Sequence, residues 1–208
     1  MNRHKLTLFT AALLAAMLSG CSDAPKEAPK KAEPKVVAPV GGQAAAFEMF
    51  KMARAWSSDA MLLRLENIDI PEAKAEPGKY GAWKGTFVSL AKHQRRDYSY
   101  SVAESAGNLH KGAFAGSEAS YFANPSVHLF NVNEVKIDTV AALAAAKEQK
   151  DLAAFAAKHE DLPVQFLLEW TVQTDRPAWR VYWGGTVSTS QGSAFIDVGT
   201  GKFIKKGR

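Results

Sequence analysis

The sequence predicts an α+β protein made of two helix-plus-antiparallel-sheet units that follow a flexible tether. Three observations predict it. Two stretches of helical character, residues 43–57 and 138–147, each precede a set of strand-like segments. Several segments alternate in a two-residue rhythm, most cleanly 164–172 and 97–102. The stretch 178–205, AWRVYWGGTVSTSQGSAFIDVGTGKFIK, is also echoed by residues 82–111 at an offset of 96 (83 to 179). That offset sets Trp83 on Trp179, Phe87 on Trp183, Tyr100 on Ile196 and Val102 on Val198. The shared order of helix, strands, hairpin, strand and turn points to an internal duplication. The expected organisation is a leader at 1–20, a tether at 21–41, a first unit at 42–116 and a second at 117–208.

The leader reads MNRHK, then an apolar run at 6–18 that is too short to cross a bilayer and has the length of a secretory signal. It runs into Leu18-Ser19-Gly20-Cys21, which resembles the bacterial lipobox of Leu, a small residue, Gly or Ala, and Cys. The resemblance implies cleavage before Cys21 and a diacylglycerol on its sulfur. Each buried methylene would add about 0.8 kcal/mol of membrane affinity, so several acyl chains make a firm anchor. Ser22 after such a cysteine usually permits export to the outer membrane in Gram-negative lipoproteins. Asp in that place favours retention in the inner one, and here Asp23 is one place later. The outer membrane is the expected location. Residues 22–40, SDAPKEAPKKAEPKVVAPV, have too little apolar content to fold and read as an extended tether.

Residues 43–57 place Ala46, Met49, Ala53 and Trp56 on one helical stripe beside Phe47, Phe50 and Arg54. Trp56 on such a stripe is more often core than a ligand platform. Residues 59–70 read as a strand with Leu63 and Leu65 on one face, ended by Pro71 and Pro77-Gly78. Residues 80–91 read as the next strand, with Trp83 and Phe87 on one face. Lys92 to Asp97 reads as a polar hairpin tip, and 97–102 as a strand with Tyr98, Tyr100 and Val102 to one side. A short strand is expected within 109–114, and a small, polar connection at 115–124. Asp138 or Thr139 is the expected cap of the Ala-rich helix, and Asp151 that of a further helical segment through Ala157. In 164–172 the inward residues are Val164, Phe166, Leu168, Trp170 and Val172. In the last hairpin Trp179, Val181 and Trp183 share the inner face, and Arg180 and Tyr182 share the outer one.

The closing turn, Asp197-Val198-Gly199-Thr200-Gly201-Lys202, resembles the Asp-Ala-x-Thr-Gly turn that ends a PepSY unit, with Gly199 as an extra residue. The strand Pro177-Ala178-Trp179-Arg180-Val181 resembles the strand before it in that family. The likeness covers residues 137–206 and is fainter over 43–111. It implies a helix on a three- or four-stranded antiparallel sheet and a small binding module. Such modules occur in the propeptides of secreted metallopeptidases, as inhibitors or folding aids, and in envelope proteins. The family carries over no catalytic residue. A broader likeness of architecture links the chain to the β-lactamase inhibitor protein and to small outer-membrane assembly lipoproteins, and architecture does not fix function.

The chain has 208 residues, 47% of them hydrophobic, and a formal charge of +5. Arg3 and Lys5 account for two of those charges. Four lysines against three acids in 22–40 account for one more, leaving +2 for the rest. That excess is too small and too dispersed for a nucleic-acid partner. Cys21 is the one cysteine, so no intramolecular disulfide can form. His93, His110, His128 and His159 lack metal-ligand spacing, and no nucleophile elbow, phosphate loop or dinucleotide motif occurs. His159-Glu160-Asp161 reads as a solvated helix end. The carboxylate pairs Glu66/Asp69 and Glu160/Asp161 would need a pocket to do acid–base work. The expectation is therefore a protein that is not an enzyme and carries no cofactor or metal.

Two candidate binding surfaces remain. One is a basic tip of Lys92, Arg95 and Arg96, able to meet phosphate groups of lipid. The other is Arg180 with Tyr182, residue types common among interface anchors. A cross-strand acid, Glu169 or Asp197, is the more ordinary partner for Arg180. The expected function is non-catalytic binding of an envelope protein or peptide, with inhibition or modulation of a peptidase as its sharper form. The alternative is a structural accessory of the outer membrane or its assembly machinery. Either protein would also meet the membrane through the lipid on Cys21.

Overall fold

The computed structural model describes residues 37–207, which form one compact unit. Cys21, the leader and most of the tether lie outside the described residues. Three helices and nine strands follow in the order α1 (Gly42–Trp56), β1 (Met61–Ile68), β2 (Ala82–Ser89), β3 (Gln94–Ser101), β4 (Gly112–Ser120), β5 (Val127–His128), α2 (Thr139–Lys147), α3 (Lys150–Lys158), β6 (Val164–Thr171), β7 (Pro177–Trp183), β8 (Gly192–Asp197) and β9 (Phe203–Gly207). The strands make one antiparallel sheet in the order β4-β3-β2-β1-β6-β7-β8-β9, with β5 added alongside β6. This is the α+β class that the periodicities predict.

Each half of the sheet is a meander of four strands preceded by helix. The halves join at the centre, where β1 meets β6 through Arg64↔Glu169, Leu65↔Leu168 and Glu66↔Leu167. The helices share one face of the sheet. Beneath them lie the fully buried Trp83, Phe87, Tyr98, Phe166, Trp179 and Trp183. α1 buries Ala45, Ala46, Met49 and Ala53, the stripe that its sequence shows.

The two halves match in a detail of side-chain bonding. Trp83 donates its indole N–H to the Val40 carbonyl at 3.1 Å, and Trp179 donates to the Ile137 carbonyl at 2.8 Å. Both acceptors stand two residues ahead of a helix. The helix starts also touch. The Asp138 carboxylate accepts from the N–H of Thr139 in α2 at 2.7 Å and from that of Gln43 in α1 at 2.9 Å. The Thr139 hydroxyl accepts from the N–H of Gly42 at 3.0 Å. One side chain thus satisfies donors that two helices would otherwise leave open. Of the two caps predicted for α2, Asp138 and Thr139, Asp138 is the one that holds the position; its reach to α1 is not visible in the sequence.

Several expectations are corrected. The tether does not extend to residue 41, because Val40 exchanges backbone hydrogen bonds with Tyr80 and belongs to the fold. In β1 the buried pair is Leu62 and Leu65, not Leu63 and Leu65, because a bulge between Leu62 and Arg64 breaks the two-residue rhythm. The turn after β2 occupies 90–93, with His93 at φ 53°, so Arg95 and Arg96 lie within β3 rather than at a hairpin tip. Residues 115–120 continue β4 instead of forming a connection, so the half extends past residue 116. Gln149, not Asp151, occupies the N-cap position of α3, where its side chain makes no capping bond, and Asp151 sits in the first turn. Val172 lies beyond the end of β6 and is exposed. The turn at 199–201 stands as expected, with Gly201 at φ 74° and Asp197 accepting from the N–H groups of Gly199 and Thr200.

Candidate functional site

The pairing register assigns a row of side chains to the sheet face away from the helices. In β1 these are Arg64 and Glu66. Arg64 opposes Thr86 of β2 and Glu169 of β6, and Glu66 opposes Lys84 and Leu167. The second row runs on through Arg180, Phe195 and Lys205. No helix of the described residues covers this face, yet Leu167, Tyr182 and Phe195 are buried on it. Long neighbouring side chains close over them. The Arg180 guanidinium lies 5.3 Å and the Lys205 ammonium 5.7 Å from the centre of the Phe195 ring.

Towards β3 the face opens into a cleft of about 610 Å³, bordered by Arg64, Lys84, Arg95, Asp97, Glu169 and Phe122. Most of its charges are paired internally. Arg64 meets Glu66 at 2.8 Å, Lys84 meets Asp97 at 3.4 Å, and the Thr86 hydroxyl donates to Asp97 at 2.7 Å. Burial pushes the Glu169 carboxyl above its ordinary range, against the pull of Arg64 and Arg180. Arg95 has no ion-pair partner among the described residues. Phe122 stands at the rim with 85% of its surface exposed.

The predicted site residues are dispersed. Lys92 donates to the Trp56 carbonyl at 2.7 Å and sits over the Trp56 ring, closing the end of α1. Arg96 is on the helix-side face of β3, over Tyr98 and 3.2 Å from Glu118. Arg95 alone of the three reaches the open cleft, so the basic tip is not a single patch. Arg180 and Tyr182 do share the open face, but Tyr182 is buried and Arg180 half-buried. They are not the exposed pair that alternation suggests. Glu169 acts electrostatically on Arg180, as the ordinary reading has it, while Asp197 pairs with Arg176 at 3.3 Å.

Arg64, Lys84, Asp97, Glu169 and Phe122 were not among the predicted site residues. The first three alternate with buried neighbours in their strands, which was the available signal. The histidines stay apart: His110 meets Glu104 at 3.0 Å, His128 packs on Trp170, and His159 packs on Phe155. Among the described residues no three His, Cys, Asp or Glu side chains come together as a metal-binding group. No helix among them is long and apolar enough to cross a membrane.

No protein-family model matches the chain, and no curated protein matches it. A solved structure from Clostridium difficile, of a protein described as a lipoprotein, is similar to it. The identity is 8%, the match covers 78% of this chain and 91% of that one, and the TM-score is 0.47. The PepSY resemblance thus rests on the residues that carry it.

Proposed function

We propose that this chain is a lipid-anchored envelope protein that binds a protein or peptide partner on the uncovered face of its sheet, without catalysing a reaction. The observation that carries the reading is that face itself. It combines a cleft of about 610 Å³, an Arg95 guanidinium with no ion-pair partner among the described residues and an exposed aromatic ring on Phe122. Arg residues and aromatic rings in such a setting are common anchors of protein interfaces. Two of the cleft's carboxylates, Glu66 and Asp97, are tied to the neighbouring cations Arg64 and Lys84, which suits recognition. The lipobox at 18–21 supports anchoring through Cys21, with Ser22 favouring the outer membrane. In its sharper form, drawn from the PepSY-like turn at 197–202, the partner is a secreted peptidase that the protein restrains.

The test is site-specific photo-crosslinking of the full-length protein in cells. A crosslinking residue at position 86, on the open face, should capture a discrete partner. The same residue at position 48, on α1, should not. Equal capture from both positions, or capture from 48 alone, would overturn the binding face. Recovery of outer-membrane assembly components instead of a peptidase would favour the accessory role. Turnover of a substrate by the purified protein, surviving repeated purification, would overturn the non-catalytic reading. Cys21→Ser should release the protein from membranes; unchanged membrane association with no lipid mass on the wild type would refute the anchor.

A further inference from the structure

The two edges of the sheet are built differently. β9, at one edge, has 5 residues and carries Lys205 and Lys206, with Lys202 just before it. Shortness and lysines are the usual protections of an exposed edge. β4, at the other edge, has 9 residues, GAFAGSEAS, most of them exposed. Its single charged residue, Glu118, is turned back onto Arg96 at 3.2 Å. Its other residues are Gly, Ala, Ser and one Phe, which put little in the way of an approaching backbone.

The hydrogen-bond pattern says which groups the edge offers. Just past β4, Tyr121 donates its N–H to the His93 carbonyl. Residues in an antiparallel ladder alternate between bonded and non-bonded pairs. Ala119 therefore bonds to Arg95, its partner in β3, while Glu118 and Ser120 direct their N–H and C=O groups away from the sheet. Arg95 stands on the open face opposite Ala119. A strand added outside β4 would place a residue beyond Ala119, about 10 Å from Arg95 across two strand spacings. Alanine sets neither bulk nor charge between them. An acidic side chain at that place is within the combined reach of carboxylate and guanidinium. The open face also has clefts beside both parts of the edge, one of about 610 Å³ at Ser120 and one of about 690 Å³ beside Phe114 and Ser117.

We propose that β4 is the docking edge for an extended acidic segment of an envelope protein, which adds to the sheet as a further strand and seats a carboxylate on Arg95. The proposal rests on the binding reading above and names its mode: backbone bonds supply affinity, and alternate side chains supply selection. A second copy of this chain is a poorer occupant, because Glu118 is already held by Arg96 and the rest of β4 has no acid to offer Arg95.

The experiment measures fluorescence anisotropy of labelled peptides with the full-length protein in detergent. The probes are a short peptide alternating threonine with glutamate and its threonine–lysine counterpart. The glutamate peptide should bind and the lysine peptide should not. Ser120→Pro removes an outward N–H at an edge position that tolerates proline and should weaken binding by about tenfold or more. Arg95→Glu should weaken the glutamate peptide by about tenfold and admit the lysine peptide. Amide exchange should slow at residues 117–120 when the glutamate peptide is present. If Ser120→Pro fails to fold, the charge exchange at Arg95 decides. Equal binding of the two peptides, binding of neither, or β4 protected by self-association without peptide would overturn the proposal. Protection confined to the open face away from β4 would overturn it too, while leaving the broader binding reading in place; capture at position 86 tests that reading separately.

Discussion

Trp83 and Trp179 meet edge to face where the two halves of the sheet join, with ring centroids 6.2 Å apart and planes at 64°. Each is tied by its indole N–H to the carbonyl that introduces its own half's helix. The pair therefore links both helix starts to the centre of the sheet. Gly42, the first residue of α1, lies against both rings. A Cβ there would stand 2.5 Å from Trp179 and 2.9 Å from Trp83.

Gly42→Ala is therefore a contest between two effects. Helix propensity alone would favour alanine by about 1 kcal/mol. Overpacking against two buried indoles costs about 1–3 kcal/mol. Neither ring can swing aside without giving up its bond to Val40 or Ile137. The net expectation is destabilisation, read as a lower midpoint in urea unfolding with an unchanged slope. A higher midpoint would show that the indoles yield more readily than their bonds suggest.

Asp138 should be unusually sensitive for a half-exposed carboxylate, since one oxygen receives N–H groups from two helices. A lost cap typically costs about 1 kcal/mol, so Asp138→Ala should cost about 2 kcal/mol. Asp138→Asn keeps an acceptor oxygen and should lose well under half of that. Urea unfolding of the two variants checks the ratio. Equal losses would mean that charge, not the shared acceptor, does the capping.

Asp59 supplies an acid-sensitive lock between α1 and β2. It accepts from the Ser57 hydroxyl at 2.6 Å, the Ser89 hydroxyl at 2.7 Å and the Ala91 N–H at 2.9 Å. These bonds, that from Ser57 first, hold its carboxyl well below the usual carboxylate range. An acid with a depressed folded pKa stabilises fully above its unfolded value, about 3.9, and that stability is lost as pH falls further. Asp59→Asn should lower stability at neutral pH and flatten its decline below about pH 4. Parallel acid titrations followed by tryptophan fluorescence would show it. Identical slopes would remove Asp59 from the account.

The helices and the strands with buried alternation were legible because their burial writes a period into the sequence. Trp179, Val181 and Trp183 are buried as that rhythm requires. β4 was hidden because an exposed edge strand need not alternate, and its small residues look like a linker. The bulge in β1 was hidden because a one-residue irregularity reverses faces without changing composition. The open face misled in the opposite sense. Period two labels its residues solvent-facing, yet Phe195 is buried there, with the charged ends of Arg180 and Lys205 over its ring. The cleft draws on β1, β2, β3, β6 and the segment after β4, and only the register brings these together.

Arg180 and Glu169 make the last case. Burial raises the Glu169 carboxyl, and the charges of Arg64 and Arg180 oppose that rise. Arg180→Met keeps an apolar stem over Phe195 but removes one opposing charge, so the folded pKa of Glu169 should climb further. An acid raised in the folded state contributes stability below its unfolded value, about 4.3, and loses it as pH rises through the folded value. The variant should therefore be hurt more at neutral pH than at about pH 4. Adding Glu169→Gln should abolish that difference, since no carboxylate then remains to be left without its partner. Urea midpoints of the wild type, both single variants and the double variant at the two pH values complete the cycle. An equal loss at both pH values would assign Arg180 to packing on Phe195 alone.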